Sequence, residues 1–98
     1  MIYKVEITDE AKADLKEGII WYKNKNSNLV EDFVSKVEKA VKTISENPLQ
    51  FVALYKNSRK FKIDRFPYNI IYIIKEEKVI IFSIMHTSRN PQNWQKRV

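Results

Sequence analysis

Few side chains in this 98-residue sequence can do chemistry, and most of those are basic. Cysteine is absent, which excludes disulfides, thiolate nucleophiles and cysteine-ligated zinc. The single histidine, His86, would need three carboxylates to complete a zinc site, so no metal is expected. The single glycine, Gly18, excludes a glycine-rich phosphate cradle and with it P-loop and Rossmann enzymes; no cofactor is expected. What remains is a set of cations late in the chain. Lys60 and Lys62 stand two apart in the alternating stretch Arg59 to Asp64, and so share one face of a strand. His86 is the one side-chain type whose ordinary titration lies near neutrality. Arg89, Trp94 and Arg97 follow in the tail.

The charge is segregated. Residues 1–49 carry eight lysines against nine acids, whereas residues 50–98 carry six lysines and four arginines against three. A formal net charge of +6 thus sits almost wholly in the second half, which points to an anionic partner, nucleic acid or an acidic protein segment. The plainer reading is solubility.

These residues need a scaffold, and the length allows one domain over 1–98 with a single two-layer core. A hydrophobic fraction of 44% excludes a disordered chain. The longest apolar run, Ile70 to Ile74 beside Tyr72, is far shorter than a membrane span, and the start has no signal-peptide core. A cytoplasmic protein is expected.

Residues 2–7 alternate as a strand. Thr8 then offers a helix N-cap, followed by Asp9 and Glu10. Ala11, Leu15, Gly18 and Tyr22 line the inner face of this helix, flanked by Ile19 and Trp21, with Ile20 opposite. Residues 23–28 read as a polar break, after which Asn28 and Glu31 suggest a capping box. Leu29, Val30, Phe33, Val34, Val37, Ala40, Val41 and Ile44 share one arc of a second helix, ended by Pro48. Arg59–Asp64, Tyr68–Lys75 and Lys78–Met85 read as strands, the last two joined by the turn Glu76-Glu77. Asn90-Pro91 starts one helical turn. The order is β-α-α-β-β-β, an α+β fold with a helical hairpin packed on one face of a small antiparallel sheet.

Phe66-Pro67-Tyr68-Asn69-Ile70-Ile71-Tyr72, an apolar strand, then His86-Thr87-Ser88-Arg89-Asn90-Pro91 with Trp94 and Arg97, resembles the RelE/ParE superfamily of toxins. These are the toxin halves of bacterial type II toxin–antitoxin modules. The resemblance spans nearly the whole chain, and its Phe-Pro-Tyr and His-x-x-Arg-x-Pro pieces look closer to the ParE-like branch. It implies growth inhibition, plasmid stabilization and neutralisation by a cognate antitoxin. RelE-like members enter the ribosomal A site and cleave mRNA; ParE-like members poison DNA gyrase by binding.

Cleavage of the RelE type is attack of a ribose 2′-hydroxyl on the adjacent phosphate, without metal. It needs a base, positive charge on the phosphorane and a proton for the leaving oxygen. The resemblance puts Lys60, Lys62 and Arg89 in that machinery, and residue type adds His86. Arg89 would grip the phosphate, and its crowding would lower the pKa of a lysine serving as base. Two parts are missing. The central RelE-type arginine falls on Asn69, and the tail position of an aromatic hydroxyl falls nearest Trp94, whose indole exchanges no proton.

Asn69, Ile71 and Ile73 share a face and would give a greasy groove rather than a cationic cleft. With Lys60, Lys62, Arg89, Trp94 and Arg97 they form the expected antitoxin- or target-binding surface. An acidic, amphipathic C-terminal antitoxin segment would cover it, giving a hetero-oligomer. The ParE-like reading, with DNA gyrase as target, therefore stands ahead of the ribosome-dependent endonuclease. A non-toxic RNA-binding module comes third.

Plainer readings accompany each residue. Lys60 and Lys62 suit a solvated edge strand. Arg89 would pair with Asp64 or Glu6, and His86 would be a hydrogen-bonded strand end. Tyr68 and Tyr72 belong to the core beneath the helices, and Trp21 and Trp94 to packing, unless an exposed Trp94 anchors an interface.

Overall fold

A computed structural model of the protein describes residues 2–98. Strand β1 (Lys4–Ile7) leads into helix α1 (Asp9–Asn26), and Thr8 caps it by accepting a hydrogen bond from the Ala11 N–H at 3.2 Å. Of the polar stretch 23–28 expected to break the chain, Lys23 to Asn26 are instead the last turn of α1. Its lysines and asparagines continue on the exposed side, where polarity does not oppose a helix. The expected capping box is not formed. Asn26 rather than Asn28 supplies the cap, its Oδ1 accepting from the Asn28 N–H at 3.1 Å to start a short 3₁₀ turn, Ser27–Leu29. Helix α2 (Val30–Glu46) follows directly, with Asn47 and Pro48 ending it.

The strands are β2 (Val52–Ala53), β3 (Arg59–Lys62), β4 (Tyr68–Lys75) and β5 (Lys78–His86). A single turn, α3 (Gln92–Gln95), closes the chain. They build one five-stranded sheet in the order β1-β5-β4-β3-β2, with the helical hairpin on one face. The sheet is mixed. The hairpin strands pair antiparallel, but β1 lies parallel to β5, Lys4 opposite Lys78 and Ile7 opposite Ile81. Parallel neighbours need a crossover, and almost the entire chain supplies it.

The core forms where the helix faces meet β4 and β5. Phe33 and Ile44 of α2 are wholly buried against Ile70, Tyr72, Val79 and Ile81, each contributing about 2 kcal/mol by leaving water. Gly18 is needed where α1 crosses this layer. A Cβ there would lie 3.1 Å from the Phe33 ring and 3.3 Å from the Tyr68 hydroxyl. The opposite face of the central strands is closed too: Ile71, Ser83 and Met85 are buried, as is Phe82 at a bulge in β5, with the Trp94 ring 6.3 Å from Phe82. The β4–β5 turn places both Glu76 and Glu77 in the left-handed region, at φ 51° and 64°. No helix is long and apolar enough to cross a membrane, among the described residues.

Candidate functional site

Past Ile81, β5 has no strand on its β1 side, and α1 crosses this open flank. Asp14 projects from α1 and its Oδ2 accepts from the Ile84 N–H at 3.0 Å. The same carboxylate is gripped by Arg97 through two hydrogen bonds, Nη1 to Oδ2 at 2.6 Å and Nη2 to Oδ1 at 3.2 Å. Arg97 Nη1 also donates to the Phe82 carbonyl at 3.0 Å. The pair thus offers β5 one acceptor and one donor, as a neighbouring strand would. Both side chains are largely buried, and the bonds to Asp14 hold the guanidinium pKa above its ordinary value.

One turn further along α1, Glu17 Oε1 accepts from Arg89 Nη2 at 2.7 Å. Between this ion pair and the end of β5 lies an open cavity of about 420 Å³. Gly18, Trp21, Tyr68, Ile84, His86 and Ser88 line it. Tyr68 is only 7% exposed, but its hydroxyl is not a buried polar atom without a partner; among the described residues Ser83 Oγ is the one such atom. Burial raises the Tyr68 pKa, aided by Tyr22 and Glu17 and opposed by Arg89, so at neutral pH it is a protonated phenol. The His86 ring meets Tyr68 edge to face at 5.4 Å. The Ser88 N–H points at His86 Nδ1 at 3.0 Å, which makes Nδ1 an acceptor and leaves the ring proton on Nε2.

The expected catalytic residues divide between the two faces of the sheet. His86 and Arg89 belong to this cavity, on the helix side. Lys60 and Lys62 alternate with the inward Phe61 and Ile63 and stand exposed on the helix-free side. Lys62 Nζ donates to the Ile63 and Phe66 carbonyls at 3.3 Å, bracing the turn into β4. Asn69 lies opposite Lys62 and Met85 in the sheet and is partly exposed, as is Ile73. Ile71 between them is 1% exposed and presents nothing to a partner, so no continuous apolar groove runs along these three residues.

Arg89 pairs with neither Asp64 nor Glu6. Asp64 faces Lys36 at 3.6 Å and Glu6 faces Lys78 at 2.9 Å, so the flank of α1 is what reaches Arg89. Turned toward Glu17, Arg89 does not crowd either lysine. Arg97, expected on a binding surface, is the internal clamp described above, and Trp94 is half-buried over Phe82. Tyr72 is wholly buried, its hydroxyl donating to the Pro48 carbonyl at 2.5 Å, and Tyr68 lies in the same core. Trp21 is 49% exposed, with Lys25 Nζ 5.7 Å from its ring centre.

Sequence reasoning passed over Asp14 and Glu17. Their signal was the spacing Glu10, Asp14, Glu17, an acidic stripe on the α1 face that carries Gly18 and Trp21, set against a tail holding two arginines.

No curated protein is significantly similar to this chain in sequence. Among solved structures, the chromosomal ParDE toxin–antitoxin system of Pseudomonas aeruginosa is 18% identical, with a TM-score of 0.74 over 87% of this chain and 96% of the other. A mutant of the Escherichia coli toxin RelE in its free state is 18% identical, with a TM-score of 0.65 over 100% and 99% of the two chains. A RelBE toxin–antitoxin complex from Mycobacterium tuberculosis is 23% identical, with a TM-score of 0.60 over 88% and 99%. At these identities the likeness is one of fold. The model of the ParE toxin of type II toxin–antitoxin systems matches residues 5–91, and the chain belongs to that family.

Proposed function

We propose that this type II toxin acts by binding DNA gyrase rather than by cleaving RNA, and that a cognate antitoxin neutralises it in a hetero-oligomer. The observation that carries the reading is the division of the basic residues. A ribonuclease of the RelE type must bring base, cation and acid to one phosphate, whereas here Lys60 and Lys62 lie across the sheet from His86 and Arg89. Asn69, beside Lys62 in the sheet, supplies no charge where the resemblance puts the RelE-type arginine. The helix-free face joins exposed lysine charge to the partly exposed Ile73, a combination that suits an acidic amphipathic antitoxin segment. Solved relatives in complex with antitoxins support that partner.

The test pairs two assays on purified protein. Inhibited supercoiling by gyrase, with mRNA left intact in cell-free translation, is the expected result. Unimpeded supercoiling together with new mRNA ends in the ribosomal A-site codon overturns the reading. The RelE-like alternative draws on one observation, two exposed lysines side by side on β3, and predicts that Lys62→Ala abolishes those ends.

A further inference from the structure

We propose that the cavity between α1 and the end of β5 is a binding site for a guanine base, carried by a free nucleotide or by single-stranded nucleic acid. The inference does not depend on whether gyrase or the ribosome is the target.

The chemistry of the rim selects the ligand. Glu17 and Arg89 are joined by a single bond, Oε1 to Nη2. Oε2 of Glu17 and Nη1 of Arg89 keep no partner among the described residues, so the ion pair presents one acceptor beside a cluster of donors. That is the complement of a lactam edge, a ring N–H next to a carbonyl oxygen. A full anion is disfavoured, because Glu17 already neutralises Arg89. Guanine carries such an edge at N1–H and O6, and arginine is the natural reader of guanine O6. Uracil and thymine carry the same edge, and the size of the cavity favours the purine. Adenine presents the reverse order.

The body of the cavity fits a flat ring. Its volume of about 420 Å³ accommodates a purine with its sugar, and Trp21 offers a half-exposed indole on which a base can stack. Gly18 keeps the floor open by placing no side chain above the Tyr68 hydroxyl. That hydroxyl borders the cavity and offers a ligand a donor. His86, with its proton on Nε2, and Ser88 add polar groups to the lining.

Trp21 is also the reporter. In a Trp94→Phe background it is the sole indole, and its fluorescence should fall saturably with GMP and about tenfold less readily with AMP. Glu17→Ala and Tyr68→Phe should each weaken GMP about tenfold while far-UV circular dichroism stays unchanged. Calorimetric titration of the unmodified chain with GMP and AMP gives the same comparison should Trp94→Phe fail to fold. A five-nucleotide adenosine oligomer with a central guanosine separates the sources. Tighter binding than GMP assigns the site to single strands, and weaker binding assigns it to the free nucleotide. Absence of saturation by GMP and by the oligomer at millimolar concentration, equal affinities for GMP and AMP, or GMP binding indifferent to Glu17→Ala overturns the proposal.

Discussion

At one side of the sheet, β5 runs past the end of β1, and its bare backbone is met by the Asp14–Arg97 pair. At the other, β2 is two residues long, and its neighbourhood leaves Leu49 60% and Val52 62% exposed. The first flank is sealed from outside by a charged pair. The second is held only from within: Tyr72 bonds the Pro48 carbonyl, and Arg59 donates to the carbonyls of Leu49 at 3.2 Å and Phe51 at 2.7 Å. In both places arginine serves backbone carbonyls rather than a partner. Arg65 faces Asp32 and Arg89 faces Glu17, so every arginine of the basic half already has a partner within the chain. Charge counted along a sequence is therefore not charge offered to a ligand. The exposed lysines, not the arginines, carry the electrostatic surface.

Breaking the sealed flank should cost most. Arg97→Ala leaves the Asp14 carboxylate and the Phe82 carbonyl without their donor and should destabilise the fold by about 3 kcal/mol, read from urea denaturation. Arg97→Lys should recover only a small part, since one ammonium cannot span both Asp14 oxygens and the carbonyl.

The inner hold at the other side is weaker, and it can be titrated. Tyr72→Phe should cost about 1.5 kcal/mol at neutral pH, by loss of a buried hydrogen bond. Burial pushes the Tyr72 hydroxyl up to about 12, with Arg59 opposing. A folded-state pKa above the unfolded value of about 10 gives stability that is complete below pH ~10 and lost as pH rises through about 12. Denaturation midpoints across that window should fall for the wild type and fall less for Tyr72→Phe.

Between the two flanks, the β4–β5 turn holds glutamates in a conformation that favours Asn-Gly. The double change Glu76→Asn, Glu77→Gly should add about 1 kcal/mol in the same urea assay. The smallest change in stability is expected for Val52→Lys at the open edge, within about 0.5 kcal/mol. Its effect should appear in light scattering, as reduced self-association.

What the sequence reveals follows the range of the interaction involved. Helix α2 is legible because eight apolar residues repeat at its own period, and β4 and β5 because apolar runs flank a two-residue turn. The end of α1 is misjudged because Lys23 to Asn26 are polar on every side, and composition there does not tell a solvated helix from a loop. The parallel pairing of β1 with β5 and the two-residue β2 leave no local trace at all. The site divides in the same way. His86 and Arg89 stand out by residue type, and they do meet in one cavity. Tyr68 is placed in the core by its alternation with Ile70 and Tyr72, and Asp14 and Glu17 show as an acidic stripe, but which groups those two carboxylates meet depends on how α1 crosses the sheet.

The parallel pairing also orders the birth of the molecule. β1 is made before the other strands, yet its strand partner among the described residues is the last strand made, paired at Lys78–Ile81, so during synthesis it must wait for every element between them. The β4–β5 hairpin, with its contacts close in sequence, can form early, whereas closing β1 onto it bears the loop-closure entropy of everything between. Any nascent chain interrupted before β5 lacks the strand that seats β1, the flank that meets Asp14, and the arginines of the tail. A truncated product of a toxin gene is thus left unassembled by the topology itself.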